Sequence, residues 1–143
     1  MSFPIKHLLH IDRPIEDVFH ALTDIQELQK WYTTEVEGES TLNGLIAFNF
    51  GGMVFKMQVV VLEEGKSVHW KCVETDGPVL NHVMTFELDR NVDKTRVRFA
   101  HTGLEAMDDG YANMNFSSAR YLESLRQLCQ TGVGEAFGSP TYR

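Results

Sequence analysis

The chain has 143 residues, 43% hydrophobic and 23% charged, with a formal net charge of -7. That length and balance predict one globular domain with a real core. The negative charge argues against a broad basic surface for nucleic acid, and no apolar run is long enough to span a bilayer, so neither nucleic acid nor membrane is an expected partner. The N-terminus carries no signal pattern, and Cys72 and Cys129 lack metal-site spacing. Both are expected to be buried thiols in a cytoplasmic protein.

Ile5 to Ile11 alternates, with Ile5, His7, Leu9 and Ile11 on one face, and predicts a strand. Pro14 is pre-set for a first helical position, and Glu16 falls in the first turn. Ile15, Val18, Phe19 and Leu22 follow at i, i+3, i+4, i+7, a short amphipathic helix. Thr23 and Asp24 break it. Asp24 can cap a second short helix, with Gln26 or Glu27 completing a capping box. That helix carries Ile25 and Leu28 and ends near Trp31.

From Glu35 the period switches to two. Val36 begins a strand, and Asn43-Gly44 is a turn signal. Ile46, Phe48 and Phe50 share one face of the next strand. Gly51-Gly52 turns the chain, and Phe55, Met57, Val59 and Val61 form the next inward set. After Glu64-Gly65 come Val68, Trp70 and Cys72. Asp76-Gly77-Pro78 closes another hairpin. Leu80, His82, Met84, Phe86 and Leu88 are expected to line the following strand, with Asp89 to Asp93 as a polar loop. In the last strand Val97, Phe99 and His101 oppose Arg96 and Arg98.

The stretch from Asp108 to Gly132 predicts the one long helix. Tyr111, Met114, Ser118, Tyr121, Leu125 and Leu128 recur at steps of three and four, one broad apolar face. Asp108 and Asp109 suit its N-terminus and Gly132 its C-terminus. The second half of the stripe is Leu-rich. The first half is larger, softer and more polar, the composition of a cavity wall. A sheet with one large apolar face must cover it, and this helix is the only long element available. The sheet is therefore expected to curl around the helix, with the two short helices filling one end. Residues 133–143 contain Gly, Ser and Pro and read as a loose tail after a domain spanning 1–132.

This order resembles the helix-grip fold of the START-like (SRPBCC) superfamily, an α+β fold. In it a curved antiparallel sheet of six to seven strands wraps around a long C-terminal helix. The run from Ile11 to Asp24, followed by Leu28 and Trp31, looks like the N-terminal signature of the branch homologous to heat-shock ATPase activators. His101-Thr102-Gly103 and then Tyr121, Leu125 and Leu128 resemble that branch's later pattern. Tyr121 departs from it, since the branch commonly has Trp there. The superfamily mixes binders, cyclases and co-chaperones, so the resemblance implies a fold rather than a function.

The residues themselves point to a pocket. Trp31, Phe48, Phe50, Phe55, Met57, Trp70, Met84, Phe86, Met114 and Tyr121 form an aromatic and Met set of the kind that lines ligand sites. Phe99, Val59 and Leu125 read as plain core. His82, His101, Ser118 and Tyr121 could supply polar contacts, while Asn113 and Asn115 lie off the helix stripe. The histidines show no metal-ligand pattern, and Gly51-Gly52 lacks the context of a phosphate loop, so neither metal nor cofactor is expected. His82 and His101 are the only inward acid/base candidates, and the acids cluster in turns. The leading expectation is therefore binding of a small apolar or amphipathic molecule by a monomer or homodimer. The alternatives are a co-chaperone-like interaction domain and, ranked below binding, a cyclase- or hydrolase-type enzyme in the same cavity. A collapsed cavity would favour the co-chaperone. An open one with a single polar group would favour a carrier, and one with a paired His and acid an enzyme.

Overall fold

The computed structural model describes residues 2–143. Alternating segments build β1 (Ile5–Ile11), β2 (Glu35–Gly38), β3 (Leu45–Phe50), β4 (Met53–Glu63), β5 (Ser67–Thr75), β6 (Val83–Asn91) and β7 (Lys94–Thr102). Helical periodicity builds α1 (Ile15–Thr23), α2 (Ile25–Trp31) and α3 (Asp109–Thr131). The strands form one antiparallel sheet in the order β1-β7-β6-β5-β4-β3-β2. Most neighbours are successive in the chain. The exception is β1, which pairs with β7 so that Ile5 faces His101 and Ile11 faces Thr95.

The sheet is curved. The ladder between β4 and β5 shifts register between Lys56 and Met57 and again between Val59 and Val61. Such bulges bend a strand and increase its twist. The inward face carries the residues that alternation places there: Ile46, Phe48, Met57, Val59, Trp70, Phe86, Val97 and Phe99 are all buried. Each large apolar side chain so buried is worth about 1.5–3 kcal/mol.

Helix α3 closes this face. Asp108 caps it by accepting from the Tyr111 amide at 3.0 Å, and Gly132 ends it with a left-handed φ of 87°. Leu122, Leu125 and Leu128 are buried, whereas Phe116 on the opposite side is 65% exposed. This is the helix-grip arrangement, with α1 and α2 packed at one end of the grip.

Several local expectations are corrected. Pro14 is the N-cap of α1 rather than its first helical residue. Asp24 caps α2 through the amides of Gln26 and Glu27, but its own amide bonds to the His20 carbonyl, so the returning half of the capping box is replaced by the end of α1. Strand β6 begins only at Val83. Leu80 sits in the preceding turn and is 52% exposed, because Asn81 adopts a φ of 68° that breaks the alternation. Asp89 is not in a loop. It lies within β6, where Arg96 and Arg98 of β7 hold its carboxylate.

Residues 133–143, read from composition as a loose tail, are docked. The Phe137 amide donates to Tyr32 and its carbonyl accepts from Thr34, both at 3.0 Å. Ala136 is fully buried, and the Phe137 ring lies 5.7 Å from Phe50. The tail thus satisfies backbone groups beyond the end of α2, which composition alone cannot reveal.

Candidate functional site

A cavity of about 350 Å³ lies between the sheet and the N-terminal half of α3. Its walls come from every layer of the fold. Trp31 reaches it from the end of α2, with its indole N–H spent on the Ala21 carbonyl at 2.8 Å. Phe48 and Phe50 face it from β3, and Phe55 and Met57 from β4. Met84 and Phe86 contribute from β6, and His101 from β7. His82 enters from the turn before β6, and Met114, Ser118 and Tyr121 close the site from α3. All of the residues the sequence nominated line this space except Trp70. That indole is fully buried behind the wall, its ring centroid 5.0 Å from Phe86 and 5.2 Å from Phe48. It is core, because the rings of Tyr32, Phe48 and Phe86 pack against the indole and stand between it and the open space.

Other lining residues were not nominated. Tyr32 is the most central. Its ring stands 5.0 Å from Tyr121 and 5.1 Å from both Phe48 and Phe50, and its hydroxyl lies 3.9 Å from the Met84 sulfur. As the C-cap of α2 it belongs to no periodic pattern, so only its adjacency to Trp31 could have marked it. Phe99, expected as plain core, and Asn113, expected off the stripe, also line the cavity, with Met53, Cys72, Val79, Ser117 and Leu122. Asn113, Ser117 and Tyr121 share i, i+4 spacing, a second signal in the same helix.

No Lys, Arg, Asp or Glu lines the cavity among the described residues. Burial holds the phenols of Tyr32 and Tyr121 well above their ordinary range, with Cys72 adding to the first and Tyr142 to the second. Both stay neutral and can donate a hydrogen bond. Burial also raises the Cys72 thiol.

The most polar feature is a histidine pair. His82 Nδ1 and His101 Nε2 lie 2.9 Å apart, with the rings inclined at 72°. Burial lowers His101 to about 4, with His82 as the second cause. Burial lowers His82 as well, opposed by the nearby Glu105 carboxylate. Near neutral pH the pair is therefore uncharged, one ring donating to the other. The nitrogens that face each other are not free for a shared ion. Among the described residues no three His, Cys, Asp or Glu side chains converge as metal ligands.

Outside this cavity lies a shallower depression of about 670 Å³, formed by the turn at 78–82, the segment 103–108 and the start of α3. His82 and Met114 line both spaces and form the partition between them.

Comparison with known proteins agrees with this architecture. The sequence model of the family described as Activator of Hsp90 ATPase homolog 1-like protein matches residues 12–130. No curated protein matches the chain. Among solved structures, the Aha1 dimer from Colwellia psychrerythraea is 28% identical, with a TM-score of 0.85 over 92% of this chain and 99% of that one. Protein MLL2253 from Mesorhizobium loti is 20% identical, with a TM-score of 0.78 over 88% of this chain and 96% of that one. CalU16 from Micromonospora echinospora is 18% identical, with a TM-score of 0.72 over 97% and 77%. The last two likenesses are of fold alone.

Proposed function

The chain belongs to the Activator of Hsp90 ATPase homolog 1-like family, and from that premise we propose that it binds a small amphipathic molecule in the cavity between sheet and helix. One observation carries the reading: an open cavity of about 350 Å³ whose wall is aromatic and Met-rich and whose strongest polar group is the neutral His82–His101 pair. That volume lies within the roughly 300–1,000 Å³ of ordinary ligand pockets. Apolar walls favour a ring system or chain. The His pair and the phenols of Tyr32 and Tyr121 favour one or two hydroxyl or carbonyl groups on it. Among the described residues no Lys or Arg lines the cavity, which disfavours a ligand that depends on a buried salt bridge.

A co-chaperone-like role, the alternative drawn from the family, calls for a collapsed cavity, and the open one favours the small molecule. An enzymatic role in the same cavity is the second reading, and the His pair with Glu105 nearby supports it. The related Colwellia protein is described as a dimer, and exposed Phe116 would suit self-association here. We infer a cytoplasmic setting, in which the two free thiols stay reduced.

Native mass spectrometry of purified protein tests the binding reading. A co-purified species of a few hundred daltons, displaced by an apolar fluorescent probe, is the expected result. A bare polypeptide mass together with no probe binding overturns it.

A further inference from the structure

A pair of histidines joins the cavity to the outer depression. His101 lines only the inner space, whereas His82 lines both the inner cavity and the outer depression. Their facing nitrogens are 2.9 Å apart, so one proton lies between them and each ring keeps a second nitrogen free. Among the described residues the two imidazoles hydrogen-bond to each other. The arrangement is held from behind. Gly103 has a φ of 114°, and a Cβ there would stand 2.6 Å from His82 Cδ2. The His82 backbone is tied at both ends, its amide to Val79 and its carbonyl to Cys72. The groups facing the pair divide by side. Tyr32, Tyr121 and Cys72 line the cavity, and the carboxyl groups of Glu105 and Asp108 line only the outer depression.

We propose that His82 and His101 form a proton relay through which the cavity acts as a base on a bound apolar carbon acid. This rests on the ligand-binding reading above. The free nitrogen of His101 takes a proton from a C–H bond of the bound molecule. The electron pair of that bond moves into the molecule, either onto an electron-withdrawing group or to expel a leaving group. The Nε2 proton of His101 passes to Nδ1 of His82, and the free His82 nitrogen releases its proton to water in the outer depression. Both rings end neutral with their tautomers exchanged. The starting state returns once the product has left: His101 gives its new proton to water in the open cavity, the shared proton moves back, and His82 takes up a proton from water in the outer depression. Burial keeps His101 unprotonated far below neutral pH, so its lone pair stays available. Its weak basicity is offset by positioning and exclusion of water.

Nitrobenzisoxazole is the probe. It is planar, apolar and small, and removal of its C–H proton forms a nitrile while the N–O bond breaks to a coloured phenolate. The wild-type chain should release phenolate with saturation and about a hundredfold or more faster than free imidazole at equal concentration, the low end for a positioned base. His101→Gln and His82→Gln should each lower the rate tenfold or more. The double variant should be no slower than the slower single, because the two rings act as a unit. Anilinonaphthalene sulfonate binding and circular dichroism are followed in every variant. Probe binding by wild type without phenolate release above imidazole overturns the relay and leaves the binding reading intact. Absence of probe binding overturns both. Single effects that multiply in the double variant overturn the relay in favour of two independent bases. If His101→Gln does not fold, the half-buried His82→Gln decides, since an unchanged rate there excludes any relay.

Discussion

Truncating Leu125 to Ala should cost far more than truncating Met84 or Tyr121, although all three belong to the apolar interior. Leu125 is 0% exposed and sits between Leu122 and Leu128, themselves 4% and 7% exposed, in the close-packed half of α3. Removing its side chain leaves a void that rigid neighbours cannot fill, which costs roughly 2–5 kcal/mol. Met84 and Tyr121 are half-buried because each already borders the cavity. Part of their surface has no packing partner to lose, so each truncation should cost about half as much. Urea unfolding followed by circular dichroism gives the differences, with the slope checked for two-state behaviour. Binding of an apolar fluorescent probe is measured on the same proteins. Met84→Ala and Tyr121→Ala should change the probe's affinity, whereas Leu125→Ala should change mainly stability. Equal destabilisation by all three, with probe binding unchanged, would refute the reasoning and make the aromatic lining mere core.

Other outcomes follow from the same geometry. Phe116→Ser should leave the melting temperature nearly unchanged, because the ring is 65% exposed, and size-exclusion chromatography should show any dimer moving towards monomer; a large loss of stability would place the ring in a core. His101 has a folded pKa of about 4 against an ordinary 6.5, so the unfolded chain takes up a proton that the folded chain refuses. Stability should therefore fall as pH drops from 6.5 towards 4, by roughly 1–3 kcal/mol from this group, and level off below. His101→Gln should flatten that part of the profile, and an unaltered slope would mean the ring is not held neutral. Phe137→Ala should cost about 1–2 kcal/mol, less than a fully buried Phe, whereas a truly loose tail would register almost nothing in thermal unfolding.

Much of the fold was legible because it rests on period. The switch from 3.6 to 2 at Glu35, and back at Asp108, marks the order of helices and strands. Alternation alone assigns Phe48, Met57, Phe86 and Phe99 to one face, since a strand has only two. Composition along α3 separates the Leu-rich half from the half that borders the cavity. Exposed Phe116 follows from helical phase in the same way.

What the sequence did not determine are contacts between residues that no local rule relates. Trp70 obeys the same alternation as Met84, yet it is core while Met84 lines the cavity; the rings of Tyr32, Phe48 and Phe86, brought together from three elements, cover the indole. Tyr32 caps a helix and so has no period, and only the closing of β3 and α3 over it makes it central. The tail's docking depends on the Tyr32 carbonyl and Thr34 amide beyond α2, which meet Phe137 from a segment about a hundred residues later only in the folded chain. The 2.9 Å approach of His82 to His101 joins residues from a turn and a strand, held by a glycine whose lack of a side chain leaves room for the ring. Periodicity assigns a residue to a face because one chain segment sets it. Curvature, cavity and pairing come from many segments closing at once, and tertiary structure alone decides them.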